Sequence, residues 1–391
     1  MMRDALFLSL RYLRWSPWRT GILLLGTTVA AFLPIFTWTA TAVLEEGLLR
    51  RARDSPILVG YKGNEFDLTM SSLYFRGQVS DHVEAGEARE LAAAGIGAVV
   101  PLYVEHTAGG SPIVGTDVEY FPVRGLVPAA GRLPALLGEI VAGASLAQNL
   151  KLEVGDTLQS DQRNLYNIAG STPLLLTVVG ILGPNGTPDD DAFFADVRTA
   201  WTLEGLLHGH DQVSASRNAE EDPENTPEAE NIEASAAIFM FQKIDDSNRS
   251  SFHAHGSPDD APLTSILVVP RDQRAHDLLL GDYALDEDLQ AVRPIEVVRT
   301  VLGIVIRARD ALAAYFAVVA ASTTAFFALV ISLTLRLRRR ELDLMRRIGS
   351  SPATIGMVVT SEIVIVLAAS VALASATAWG AIAVVESQLG L

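Results

Sequence analysis

Residues 336–362 read RLRRRELDLMRRIGSSPATIGMVVTSE. Arg336, Arg338, Arg339, Arg340, Arg346 and Arg347 crowd its first half. Leu342, Met345 and Ile348, with Gly349, recur at helical spacing, so one side of a short helix over 341–348 is apolar. Gly349-Ser350-Ser351-Pro352 then reads as a helix stop, with Ser351 as N-cap and Pro352 in the first position of a new helix. On either side lie Ala311–Leu335, 25 residues without a charge, and Ile363–Val385, another 23. A third such run, Thr20–Leu44, has 25. A bilayer core needs about 20 helical residues, so each run is long enough to span. Between the first and second lies one long polar block, Glu45–Asp310.

Charge follows the same division. The chain of 391 residues is 49% hydrophobic yet carries a net charge of −16. Residues 45–309 hold 20 Lys and Arg against 40 Asp and Glu, and the remainder carries a net +4 in which every base is Arg. Arg3, Arg11, Arg14 and Arg19 precede the first run, and the six Arg of 336–347 follow the second. Positive residues stay inside, so the N-terminus and the 336–352 loop are expected in the cytoplasm and the acidic block outside. Arg50, Arg51 and Arg53 weaken this asymmetry at the first run, and the second decides it. A cleaved signal peptide fits poorly, because its apolar region is usually about 7–15 residues. Apolar content this high excludes global disorder. With no cysteine, disulfide scaffolds and thiolate metal sites are excluded.

Residues 1–19 form an amphipathic helix on the inner leaflet, with Leu6, Phe7, Leu10 and Leu13 on one side and Pro17 at its end. Spans cover 20–44, 311–335 and 357–385, with an inner segment at 336–356 and a short outer tail at 386–391. The 45–310 block is expected to be a mixed α/β domain. Its β-branched and aromatic runs predict strands at 56–62, 97–107, 119–125, 172–182, 234–242 and 263–269. Helices are predicted at 81–94, 143–151, 196–207 and 271–281. Residues 208–262, acidic and rich in Asn, Ser and Pro, read as a flexible insertion. Residues 294–310 continue as helix into the second span.

No phosphate-binding loop, nucleophile elbow or H-E-x-x-H motif occurs, so no catalytic or cofactor-binding residue is nominated. The chain is not expected to be an enzyme. Two H-x-H pairs, His208/His210 with Asp211 and His253/His255, have the chemistry of zinc, copper or nickel ligands. About 45 residues separate them and nothing in the sequence makes them converge, so they read as polar loop histidines and no metal site is assigned.

The 336–362 segment resembles the FtsX/MacB-type ABC transporter permease family. In that family the second span is followed by R-R-x-E-[IL]-x-[IL]-x-R-x-[IL]-G-[AS]-[ST], often with a Glu near the third span. Arg339, Arg340, Glu341, Leu342, Leu344, Arg346 or Arg347, Ile348, Gly349, Ser350, Ser351, Ile355 and Glu362 supply the pattern. Residues 131–158 (GRLPALLGEIVAGASLAQNLKLEVGDTL) and the strand run 172–183 resemble a segment of its outer domain. The resemblance implies an α-helical integral membrane protein with a large extracytoplasmic domain of the MacB-like periplasmic core type. It implies a permease in the inner (plasma) membrane, dimerised with itself or a relative and coupled to a separate cytoplasmic ABC ATPase that binds ATP and magnesium. Arg340, Glu341, Leu342, Leu344, Met345, Arg346, Arg347, Ile348 and Gly349 would dock that ATPase, and the chain would contact lipid and no nucleic acid. Export, lipoprotein release and mechanotransmission all fit. The family has four spans and three are visible, so the C-terminus is expected outside. The alternative is a membrane-anchored binding or metal-responsive sensing module without ATP coupling.

Overall fold

A computed structural model describes residues 2–162, 173–209, 242–254, 256–337, 339–347 and 350–389. In chain order the first elements are α1 (Met2–Trp15), α2 (Pro17–Arg53), β1 (Ile57–Tyr61), α3 (Glu65–Tyr74), β2 (Val83–Glu84), α4 (Ala85–Ala93), β3 (Gly97–Ala108) and β4 (Ser111–Thr116). There follow α5 (Tyr120–Arg124), β5 (Pro128–Gly131), β6 (Glu139–Ala142), α6 (Ala144–Leu150), β7 (Thr157–Gln159), β8 (Leu174–Leu182), β9 (Phe193–Asp196) and α7 (Val197–Glu204). The rest are β10 (Leu207–Gly209), β11 (Gln242–Lys243), β12 (Phe252–Ala254), β13 (Pro262–Leu263), β14 (Ser265–Pro270), α8 (Gln273–Ala284), β15 (Leu289–Val292), α9 (Pro294–Leu337), α10 (Arg339–Arg347) and α11 (Pro352–Leu389).

The chain forms two units, Met1–Gly47 with Thr300–Leu389, and Leu48–Arg299. The first is helical. Three of its helices are long and apolar enough to cross a membrane. Their large apolar side chains point outward, among them Trp18, Leu25, Trp38, Phe326, Leu329 and Trp379. Such a surface suits hydrocarbon and would be penalised in water. Inside the unit, small residues permit close approach: Ser370, Ala374 and Ala378 on α11 are fully buried. The Ser370 hydroxyl donates to the Leu24 carbonyl across helices at 3.3 Å. Helix α1 lies against α11, where the Ser9 hydroxyl donates to the Val358 carbonyl at 3.0 Å.

The second unit is a mixed α/β fold around a sheet of eleven described strands, ordered β11-β8-β6-β9-β4-β3-β14-β1-β15, with β5 and β7 also on β8. The pairs β6–β8, β8–β11 and β4–β9 are parallel and the others antiparallel. Strict alternation in β8 buries Leu174, Leu176, Val178 and Leu182. Apolar clusters fill the fold, two of them large. One gathers Ile113, Ile140, Leu146, Leu176 and Phe193. The other gathers Ile57, Tyr103, Trp201, Ile266 and Leu279.

Several sequence expectations change. The run 119–125 forms α5 instead of a strand, with Tyr120 and Phe121 buried and Gly125 ending the turn at φ +65°. Residues 65–74, for which no element is predicted above, form α3, and Asn64 caps it by accepting from the Phe66 amide at 3.0 Å. The end of the 196–207 helix is strand β10. Residues 242–254, assigned to a flexible insertion, contain two strands and a buried Ile244. Polar composition concealed that anchor, because one buried apolar residue barely alters an average taken over 55. The rest of the predicted 234–242 strand lies outside the described residues.

Candidate functional site

The 336–362 segment folds as its residue pattern requires. Helix α10 ends where the Ser350 amide donates to the Met345 carbonyl at 3.0 Å. The Ser351 hydroxyl then accepts from the Thr354 amide at 3.2 Å, the N-cap that starts α11 behind Pro352. Arg339, Asp343 and Arg346, at i, i+4 and i+7, line an open groove of about 850 Å³ with Arg336, over a floor that includes Ile331 and Leu335. Leu344 points elsewhere and is 62% exposed, while Met345 is half-buried. Arg340, Arg346 and Arg347 are exposed. Glu341 and Leu342 lie within α10, whereas Ile348 and Gly349 lie outside the described residues. This arrangement offers cations and an exposed apolar side chain, which is recognition chemistry.

The last turns of α2 belong to the α/β unit and hold a site that sequence reading missed. Arg51, followed by buried Ala52, is itself only 2% exposed. Its guanidinium makes a bidentate pair with Asp189, donates to the Tyr120 hydroxyl at 3.1 Å and donates to the Leu73 carbonyl at 2.9 Å. Tyr120 in turn donates to Asp189 at 2.5 Å. Arg124 stands beside them, its Nε 4.0 Å from the same carboxylate, and donates to Ser55 at 2.9 Å. Burial alone would raise the Asp189 pKa, but the two guanidiniums and the hydrogen bonds outweigh it and hold the carboxyl below its usual range. Burial pushes the Tyr120 phenol up to about 12. The result is a stiff, fully buried polar joint between the end of α2 and the sheet, without a nucleophile. In the sequence Arg50, Arg51 and Arg53 only weaken the charge asymmetry at the first apolar run, and nothing there marks Arg51 as buried.

The 131–158 motif also acquires a physical meaning. Gly131 adopts φ +71°, and a β-carbon there would lie 2.2 Å from the Val179 carbonyl oxygen. Arg132 donates to Glu139 at 2.7 Å, and the same carboxylate accepts from the Ala135 and Leu136 amides at 3.0 Å each. The "G-D" is a turn: Gly155 has φ +105° and Asp156 accepts from the Glu153 amide at 2.8 Å. The motif therefore encodes folding.

Near the joint, burial raises Asp117 to about 6, against backbone hydrogen bonds that lower it. A folded pKa above the unfolded value of about 3.9 means that Asp117 favours the fold most at low pH and progressively less as pH rises through 6. Asp117→Asn is expected to raise the melting temperature relative to wild type at pH 7.5 and to lose that advantage at pH 4. Paired melts at the two pH values check this, and an equal effect at both would refute it.

Of the histidines, β10 and β12 pair His208 with His253 in register. His210, Asp211 and His255 lie outside the described residues. Among the described residues no group of three or more His, Asp or Glu gathers around a metal-sized space.

The family described as MacB-like periplasmic core domain matches residues 22–229, more than half the chain. The periplasmic region of MacB from Actinobacillus actinomycetemcomitans is 13% identical with a TM-score of 0.36, over 65% of this chain and 97% of that one. The extracellular domain of the ABC-type transporter YknZ from Gram-positive bacteria is 11% identical with a TM-score of 0.33, over 60% and 98%. At these values neither likeness bears on the assignment. No curated protein matches the chain. The match over 22–229 carries the conclusion that this chain belongs to the MacB/FtsX-type family of ABC transporter permeases, with a MacB-like periplasmic core domain.

Proposed function

We propose that the chain is the permease subunit of an ABC transporter in the inner (plasma) membrane, with its α/β unit outside and α10 docking a separate cytoplasmic ATPase. Closure of the ATPase dimer would push on α10. Helices α2 and α9 would carry the motion to the α/β unit, for export, lipoprotein release or mechanotransmission. ATP and magnesium stay with the partner. A second permease, this chain or a relative, completes the pair.

The observation that carries this reading is α10: nine residues, Arg-rich, between two candidate spans, with Leu344 standing 62% exposed. Covering a leucine contributes about 1.5–3 kcal/mol, so such a side chain on a cytoplasmic helix favours a partner. A photo-crosslinking residue at position 344 of the full-length protein is expected to capture an ABC ATPase in cells. Adducts with lipid alone would remove the docking role. A cysteine at exposed Leu285 is expected to react with an impermeant thiol reagent in intact cells, and one at Ser350 to resist it; the reverse pattern would invert the topology.

A further inference from the structure

Helix α10 offers two different surfaces. Arg339, Asp343 and Arg346 form one row, and Leu344 and Met345 lie about 100° or more around the axis from it. The row borders the last turns of α9, where Arg336 completes a groove of about 850 Å³ whose floor includes Ile331 and Leu335. Arg336, Arg339 and Arg346 are all exposed, and among the described residues none of them pairs with a carboxylate. With Asp343, the groove carries three positive charges against one negative. Each guanidinium presents a planar fork of N–H donors and no acceptor, which matches the oxygens of a phosphate. The floor has the opposite character. It is the end of a 44-residue helix long and apolar enough to cross a membrane, and Leu329 and Leu333 are exposed on that helix. A soluble anion would use the arginines and leave the floor wet. A phospholipid uses both, with its phosphate against the arginines and its chains along α9.

We propose that this groove binds an anionic glycerophospholipid, with its phosphate between Arg336, Arg339 and Arg346 and a headgroup hydroxyl donating to Asp343. The bound lipid bridges the end of α9 and the start of α10, and so fixes the angle at which α10 leaves the membrane. The side that carries Leu344 stays open for a protein. The proposal rests on the membrane placement of α9 in the reading above, and is independent of ATPase docking and of which face is cytoplasmic.

The test uses full-length protein in detergent, titrated with dioleoylphosphatidylglycerol or dioleoylphosphatidylcholine, with lipid adducts counted by native mass spectrometry. The first phosphatidylglycerol is expected to bind about tenfold tighter than phosphatidylcholine or better. Arg336→Gln with Arg339→Gln is expected to weaken it about 30-fold, since each arginine beside an anionic headgroup contributes about a factor of five. Arg336→Lys with Arg339→Lys serves if that variant misfolds; it keeps the charge, loses the fork and is expected to weaken binding about threefold. Arg14→Gln, on α1, and Leu344→Ala, on the other side of α10, are expected to change it less than about twofold. Millimolar inorganic phosphate is expected not to displace the lipid, and displacement would make the groove a site for soluble phosphate and overturn the assignment. Equal affinity for the two lipids, or the same loss in Arg14→Gln as in the double variant, would overturn it too. Detergent has no inside or outside, so an inverted cysteine pattern would refute the topology and leave this result standing.

Discussion

Asp189→Ala is expected to destabilise the α/β unit by about 3–5 kcal/mol, a large share of the stability of an ordinary domain. The carboxylate is the counter-charge of two buried guanidiniums, Arg51 and Arg124, and accepts from Tyr120 as well. The Arg124 side chain is 2% exposed with its Nε 4.0 Å from the same carboxylate, so without Asp189 its buried charge keeps no charge partner among the described residues. Pairwise replacement gives a sharper comparison. Arg51→Met with Asp189→Leu removes both charges, and is expected to cost less than Asp189→Ala alone. Because Asp189 is held below its unfolded value of about 3.9, its contribution is present above that pH and is lost as acidification approaches the folded pKa. The penalty should therefore be constant between pH 5 and 8 and shrink in strong acid. Denaturant unfolding followed by Trp201, whose ring N–H donates to the Pro262 carbonyl at 2.8 Å, reports on this unit within the full-length protein. A penalty below about 1 kcal/mol would show that the network does not bind α2 to the sheet.

Met345→Glu is expected to abolish co-purification with an ABC ATPase while the permease stays inserted and abundant. Met345 lies half-buried in the last turn of α10 beside exposed Leu344. An unpaired charge in a protein groove costs several kcal/mol, and each 1.4 kcal/mol is about tenfold in affinity. A loss of about two orders of magnitude or more follows. If lipid headgroups covered α10 instead, a glutamate among so many arginines would be tolerated and ATPase binding would persist. Gly349→Trp provides a second check, since a bulky ring at the helix stop collides with a docked protein and is accommodated by lipid. Retained ATPase binding in both variants would leave α10 a lipid-facing loop.

Much of the architecture was legible from the residues because it depends on local, additive quantities. A run of 25 uncharged residues is long enough for a bilayer whatever surrounds it. The Arg imbalance, the alternation of 174–182 and the Gly-Ser-Ser-Pro stop are likewise read without knowing any partner. The 119–125 run was misread because its aromatic composition suits two structures. The run EYFPVRG has strand-forming residues, yet burial of Tyr120 and Phe121 and the left-handed Gly125 favoured a helical turn.

The joint could not be read in the same way. Three arginines follow the first apolar run and three aspartates follow Pro188, and nothing local shows that Arg51 and Asp189 are the pair that is buried. They lie 138 positions apart. The register of His208 opposite His253 is equally non-local. Apolar runs of membrane length, an acidic α/β block and a basic segment between two of those runs were already legible in the residues, because length, charge and period are properties of single stretches. Which arginine is buried, and that β10 and β12 pair at His208 and His253, emerges only from the folded arrangement, because burial, charge pairing and strand register depend on surfaces that the fold brings together.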